Sequence, residues 1–183
     1  MHEDPHVCHR CALAGPTCCQ LTAGQEDFCF PLSVLEKDRI RDHLPDLGGF
    51  ASAPNSAAFL DGLVRLFPAE RREVRALFPA GKEHLRLAVD REGACRFLGP
   101  GGCLIPREAR PYYCRLFPFW MNGERITLFE TPFCLAQQET PKVGGLLAVL
   151  DMSPAVLRTL YGSLRLAWGL PPRQGMDTVK KGF

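Results

Sequence analysis

Apolar residues recur at helical spacing in the first half of the chain, and capping residues precede several of these stretches. Ser33, followed three residues later by Glu36, forms a capping box that predicts the start of a helix. A second amphipathic helix is predicted over residues 56–67, with Asn55 as its cap. A third, shorter helix is predicted over residues 69–78.

Two short strands and two further helices are predicted in the rest of the chain. Residues 85–89 alternate in polarity and predict a strand. Residues 125–130 predict another strand, one half of a hairpin, after a turn at residues 122–123. Helices are predicted over residues 142–150 and from Ser153 onward, where a serine cap precedes a proline. These elements indicate an α+β fold that is mostly helical, with a few short strands.

The length of 183 residues suits one domain, which we predict to span residues 1–183. Residues 1–30 lack helical periodicity and are predicted to form an N-terminal cysteine loop. Residues 46–54 are rich in glycine, alanine and serine and are predicted to be a linker. Residues 93–134 form a second cysteine region, and the C-terminal helices are expected within residues 141–170.

Composition and charge are those of an ordinary globular chain. The sequence is 46% hydrophobic and 23% charged. Its net charge of +2, from 22 basic and 20 acidic residues, is too balanced to predict a nucleic-acid or membrane-surface partner. The N-terminus lacks the features of a signal peptide, and no stretch reaches the ~20 apolar residues of a membrane span. We therefore expect a cytoplasmic protein without a nucleic-acid or membrane partner.

The nine cysteines depart from this ordinary composition. In a reducing compartment, a chain rich in cysteine more often binds metal or performs catalysis than forms disulfides. An odd number of cysteines also fits a complete disulfide framework poorly. Packing as small apolar residues, disulfide formation and thiol redox chemistry remain alternatives to metal binding.

The cysteines are grouped as four, one and four along the chain. The first group is Cys8, Cys11, Cys18 and Cys19, and the second is Cys95, Cys103, Cys114 and Cys134. Cysteines with two residues between them, like Cys8 and Cys11, can point at one ion. Glycines between Cys95 and Cys103 allow the chain to fold back. Cys29 stands between the groups, and simple packing is an equal alternative for it.

Arginines near the cysteines offer positive charge to a thiolate site. Four thiolates around one zinc ion leave a net charge of −2, which guanidinium donors would offset. Arg110 and Arg115 flank Cys114 in an aromatic segment bracketed by prolines. We therefore predict that these two arginines contact the bound group.

The cysteine pattern resembles the YkgJ-type cysteine-cluster family, which is described as a zinc- or iron-chelating domain. The family pattern has a Cys-x2-Cys-x2-Cys-Cys start, a Cys-x-Phe-Leu…Cys segment, an Arg-Pro-x2-Cys-Arg-x-Phe-Pro motif and a final lone cysteine. The matching residues are Cys8, Cys11, Cys18, Cys19, Cys95, Phe97, Leu98, Cys103, Arg110, Pro111, Cys114, Arg115, Phe117, Pro118 and Cys134. Six residues, rather than two, separate Cys11 from Cys18, and Cys29 is additional to the family cysteines.

This resemblance implies that the eight matching cysteines bind zinc or iron, including iron in a 4Fe–4S cluster. Some larger proteins with a similar cluster resemble flagellin lysine N-methylases. An iron–sulfur oxidoreductase or a protein lysine methylase-like enzyme is therefore an alternative, and a thiol redox protein is another. The chain has no P-loop, dinucleotide fingerprint or serine nucleophile motif, so the sequence assigns no catalytic residue.

Overall fold

A computed structural model describes residues 4–172 of the protein, and helices form most of its regular structure. The eight α-helices in this part of the chain are α1 (His6–Ala14), α2 (Val34–His43), α3 (Ala57–Leu66), α4 (Arg71–Leu77), α5 (Tyr112–Leu116), α6 (Leu135–Glu139), α7 (Val143–Val149) and α8 (Pro154–Ala167). Short 3-10 helices occupy Glu26–Phe28, Pro68–Glu70 and Arg107–Ala109. The predicted domain limits of 1 and 183 lie outside the described residues.

Six short strands in residues 4–172 form three separate antiparallel pairs. They are β1 (Phe50–Pro54) with β2 (Glu83–Leu87), β3 (Leu98–Gly99) with β4 (Gly102–Cys103), and β5 (Phe119–Asn122) with β6 (Arg125–Leu128). The structure therefore confirms a small α+β fold with a predominance of helix.

Several predicted element boundaries agree with the structure. The capping box at the start of α2 is complete, because Ser33 and Glu36 exchange side-chain to backbone hydrogen bonds. The Oγ of Ser153 accepts a hydrogen bond from the backbone N–H of Val156 at the start of α8. The predicted hairpin turn falls between β5 and β6, where Gly123 has a φ of 63°.

Two predictions near the N-terminus are wrong. The region predicted as a loop contains helix α1, in which only Val7 is buried, so periodicity gave no signal. The predicted linker contains β1, whose small residues have little intrinsic preference for strand. Pairing with β2 imposes the extended conformation, in the register Phe50 opposite Leu87 to Pro54 opposite Glu83.

The residue that caps α3 also differs from the prediction. Ser56, rather than Asn55, accepts a hydrogen bond from the backbone N–H of Phe59. Asn55 is buried, and its amide nitrogen donates to the carbonyl oxygen of Pro79. Its Oδ1 lies 3.0 Å from Nδ1 of the buried His84. The asparagine therefore fixes the chain between β1 and α3 instead of starting the helix.

Two hydrophobic clusters form the core. The larger one joins α3, α4, α8 and the β5–β6 hairpin, and its buried residues include Phe59, Phe67, Phe119, Leu157 and Leu164. The smaller one packs α2 against the second cysteine region through Leu32, Ile40, Phe97, Ile105 and Ala109. Each large apolar side chain buried in this way stabilises the fold by about 1.5–3 kcal/mol.

No single helix among the described residues is both long enough and apolar enough to cross a membrane. The pair α7 and α8 meets the length and composition criteria only when both are counted together, and they are bent by 82° relative to each other.

Candidate functional site

One cavity of about 250 Å³ brings together both cysteine groups. Its wall contains all eight cysteines of the sequence motifs, namely Cys8, Cys11, Cys18, Cys19, Cys95, Cys103, Cys114 and Cys134. Cys29, for which the sequence does not decide between packing and a role in the site, lies on the same wall. All nine cysteines are free thiols. Residues from both hydrophobic clusters complete the wall, so the cavity lies where the two clusters meet.

Helix α1 supplies one side of the cavity. One face of the helix lines the cavity, at positions i, i+1, i+4 and i+5. These positions hold Val7, Cys8, Cys11 and Ala12. Cysteine and alanine therefore occupy the positions that larger apolar residues take in a core helix. The Cys-x2-Cys pair lies within the helix, and no turn directs backbone N–H groups at its sulfurs.

Polar side chains attach α1 to the segments that carry the later cysteines. The guanidinium of Arg10 donates two hydrogen bonds, of 2.7 and 2.6 Å, to the carboxylate of Glu139 in α6. Helix α6 begins directly after Cys134. Nδ1 of His9 lies 3.3 Å from the carbonyl oxygen of Gly101, between β3 and β4. These contacts orient the first cysteine pair toward the second group.

Backbone pairing joins the Cys18–Cys19 segment to the chain before Cys95. The N–H of Cys95 donates to the carbonyl oxygen of Cys19 at 2.8 Å, and the N–H of Leu21 donates to that of Gly93 at 2.8 Å. Gly93 has a φ of 87°, and a side chain there would collide with the backbone of Leu21. The glycine therefore permits the close approach of these two cysteine-bearing segments.

Helix α2 positions Cys114 through contacts with the first residues of α5. Oε1 of the buried Glu36 accepts a hydrogen bond of 2.8 Å from the backbone N–H of Tyr112. Arg39 donates to the carbonyl oxygen of Arg110 at 3.0 Å and to the hydroxyl of Tyr112 at 3.1 Å. The acid of the capping box thus also fixes the helix that carries the thiol.

Only one of the two predicted arginines lines the cavity. Arg110 donates two hydrogen bonds, of 2.6 and 2.7 Å, to the carboxylate of Asp4, which is also on the wall. Its Nε donates to the carbonyl oxygen of Ile105 at 2.8 Å. The structure does not bring Arg115 to the cavity, and its Nη1 lies 3.5 Å from the carbonyl oxygen of Glu108.

Burial raises the pKa of most of the cavity thiols. It raises the pKa of Cys8 to about 11 and that of Cys95 to about 12, and neighbouring thiols act in the same direction. Cys114 has exposed surface because it faces the cavity, yet burial among protein atoms raises its pKa strongly. Burial also raises the pKa values of Cys29, Cys103 and Cys134. Without a cation, these groups therefore favour the neutral thiol.

Cys19 is the exception among these thiols. A hydrogen bond from the thiol of Cys18 lowers the pKa of Cys19 to about 7, and the charge of Arg110 acts in the same direction. The same interaction raises the pKa of Cys18. The hydrogen bond within this pair therefore favours ionisation of Cys19 over that of Cys18.

A shared cavity wall does not by itself make a metal site. Within residues 4–172, no group of three or more histidine, cysteine, aspartate or glutamate residues is arranged so that it could hold a metal ion. The prediction that the eight cysteines bind metal therefore stays a prediction.

Sequence reasoning missed several residues of the cavity wall. Nothing in the sequence indicates that Asp4 pairs with Arg110, which lies 106 positions away. Phe30 stacks on Tyr113, with their ring centroids 3.3 Å apart, and both residues line the cavity. Their proximity to Cys29 and Cys114 along the chain was the only available signal.

Comparisons with protein-family models, with curated proteins and with solved structures find no match for this chain. The resemblance to the YkgJ-type cysteine-cluster family therefore rests on the sequence motifs alone.

Proposed function

We propose that this protein binds zinc or iron through the cysteines of the cavity, with iron held as an ion or in an iron–sulfur cluster. The observation that carries the proposal is that cysteines from position 8 to position 134 line a single cavity. Thiolate is the preferred donor for zinc and for iron–sulfur clusters, so the donor set fits either group.

The exposure of several cavity thiols argues against packing as their role. A cysteine that packs as a small apolar residue is normally buried. Three of the cysteines that line the cavity are instead exposed, namely Cys8, Cys18 and Cys114. Burial and mutual repulsion oppose ionisation of the thiols. A bound cation would reverse that balance, because it favours the thiolate form. Arg110 would add positive charge beside the thiolates, partly offset by Asp4.

The decisive experiment is elemental analysis with a visible absorption spectrum on protein purified without oxygen. We expect zinc or iron bound in stoichiometric amount. Colourless protein containing zinc would assign a zinc site, whereas brown protein with acid-labile sulfide would assign an iron–sulfur cluster. Metal-free protein that takes up neither zinc nor iron with sulfide, and whose thiols remain freely alkylated, would refute the proposal.

Limited proteolysis provides a second test, because α1 buries little apolar surface and its polar contacts with α6 and Gly101 are exposed. Only Val7 of α1 is buried, and its side-chain cap is absent. Structural zinc contributes on the order of 10 kcal/mol to the folding of small zinc modules. Removal of the metal by a chelator should therefore expose residues 4–30 to protease before α8, which serves as the internal control. Cleavage that is unchanged after complete metal removal would contradict the proposal.

The same measurements address the enzymatic alternatives. Acid-labile sulfide would keep an iron–sulfur oxidoreductase or a lysine methylase-like enzyme under consideration. Metal-free protein that cycles between free thiols and a disulfide would instead indicate a thiol redox protein.

A further inference from the structure

Cys29 occupies a fixed position on the cavity wall, although it lies outside both sequence motifs. Its N–H donates to the carbonyl oxygen of Glu26 at 2.9 Å, at the end of a short 3-10 helix. Two residues later, Pro31 forms an isolated bridge with Arg86 of β2. The N–H of Leu32 donates to the carbonyl oxygen of Leu85 at 2.7 Å. Backbone pairing with β2 therefore determines the position of this thiol.

Packing does not account for Cys29. Cys95, Cys103 and Cys134 each pack against one of the hydrophobic clusters, whereas Cys29 belongs to neither. It nevertheless lines the cavity together with the other thiols. Cys29 therefore faces the cavity and is not part of the hydrophobic core.

Arg86 provides a cationic partner for this thiol. Its Nη1 lies 3.9 Å from Sγ of Cys29 and 2.9 Å from the carbonyl oxygen of Leu87. Its Nε is buried and has no hydrogen-bond partner. Among residues 4–172, none of the ion pairs joins Arg86 to a carboxylate. A partly buried guanidinium is unfavourable without an anion, and a Cys29 thiolate would supply one.

We propose that Cys29 provides a further thiolate ligand to the metal site and that Arg86 is the positioning residue that pairs with it. The proposal rests on the proposed function, since Cys29 can be a ligand only if the cavity binds a metal. Arg86 would act through Cys29 and not on the metal directly. Its guanidinium would donate a charge-assisted hydrogen bond to the ligand sulfur.

The test is alkylation of the full chain by iodoacetamide, with and without its metal. The metal is zinc or iron, whichever elemental analysis finds in protein purified without oxygen, and tandem mass spectrometry measures the rate at each cysteine. We expect the metal to slow alkylation of Cys29 about as much as that of Cys95. Arg86→Met should restore labelling of Cys29 while Cys95 stays protected. Arg91→Met, at an exposed arginine nearby, is the matched control.

The outcomes separate this proposal from the proposed function. If Cys29 reacts at the same rate in both states while Cys95 is protected, Cys29 is not a ligand and the metal site stands. If no cysteine is protected, both proposals fail. Cys29→Ala provides an independent measurement, since it should speed metal transfer to a competing chelator about tenfold. The control Thr22→Ala lies in the same segment and off the cavity wall, and it should leave that rate unchanged. A transfer rate in Cys29→Ala equal to that of the unmodified protein would overturn the proposal.

Discussion

Replacement of Glu36 tests whether one buried carboxylate couples a helix cap to the position of a site cysteine. Oε2 accepts hydrogen bonds of 3.0 and 2.7 Å from the backbone N–H and the hydroxyl of Ser33. Oε1 accepts one of 2.8 Å from the N–H of Tyr112, at the start of the helix that carries Cys114. Because both oxygens accept, glutamine cannot replace the carboxylate. Its NH2 group would face at least one N–H donor.

The expected loss in stability follows from these bonds. A buried donor left unsatisfied costs about 1–3 kcal/mol, and loss of a cap costs about 0.5–2 kcal/mol. We therefore expect Glu36→Gln to lower the free energy of unfolding by about 1–3 kcal/mol and Glu36→Ala by about 2–4 kcal/mol. With a slope of about 2 kcal/mol/M, Glu36→Ala should lower the urea midpoint by about 1–2 M.

Urea unfolding monitored by circular dichroism measures these changes. Ser33→Ala removes the cap but keeps the bond to Tyr112, so its loss should be smaller, about 1 kcal/mol. Glu73→Gln, in the exposed first turn of α4, should change stability by less than about 0.5 kcal/mol. Alkylation of Cys114 should also be faster in Glu36→Gln. A Glu36→Gln protein within about 0.5 kcal/mol of the unmodified protein would show that the shared carboxylate has little effect.

Two further predictions concern buried ionisable side chains outside the site. Burial, followed by the charge of Arg86, lowers the pKa of His84 to about 4, so the unfolded chain binds this proton more readily between pH 6.5 and 4. The free energy of unfolding should therefore decrease as the pH is lowered from 6.5 to 4. Urea unfolding at pH 7 and at pH 4 should show that this decrease is about 3 kcal/mol larger in the unmodified protein than in His84→Gln. Arg165 is fully buried and paired with Glu70, so Glu70→Ala should cost about 3–5 kcal/mol. The double variant Glu70→Ala with Arg165→Met should recover part of that loss in the same assay, and no recovery would contradict the assignment of the cost to an unpaired buried charge.

Elements with local signals were predictable from the sequence. The capping box of α2, the serine and proline at the start of α8, and the glycine turn between β5 and β6 each act within a few residues, so the sequence contains the cause. Strand β1 has no such signal, because its partner residues in β2 lie 29 to 37 positions away. Its conformation depends on long-range pairing that propensity does not describe.

The candidate site shows the same contrast between features with local causes and features with long-range causes. Cysteine count and spacing drew attention to the eight thiols that line the cavity together with Cys29, because so many cysteines are unusual in a globular chain. Their role as metal ligands stays a prediction. The spacing did not predict the helix that carries Cys8 and Cys11, because cysteine and alanine form its inner face. Proximity along the chain predicted roles for both Arg110 and Arg115, yet only the first lines the cavity. The direction of an arginine depends on which partner it meets in the fold. Here Asp4 and the carbonyl oxygen of Ile105 hold Arg110 toward the thiols, and neither contact is visible in the local sequence. A motif can therefore indicate which thiols line one cavity before the fold is known, while the position of the arginine beside them is set by long-range contacts.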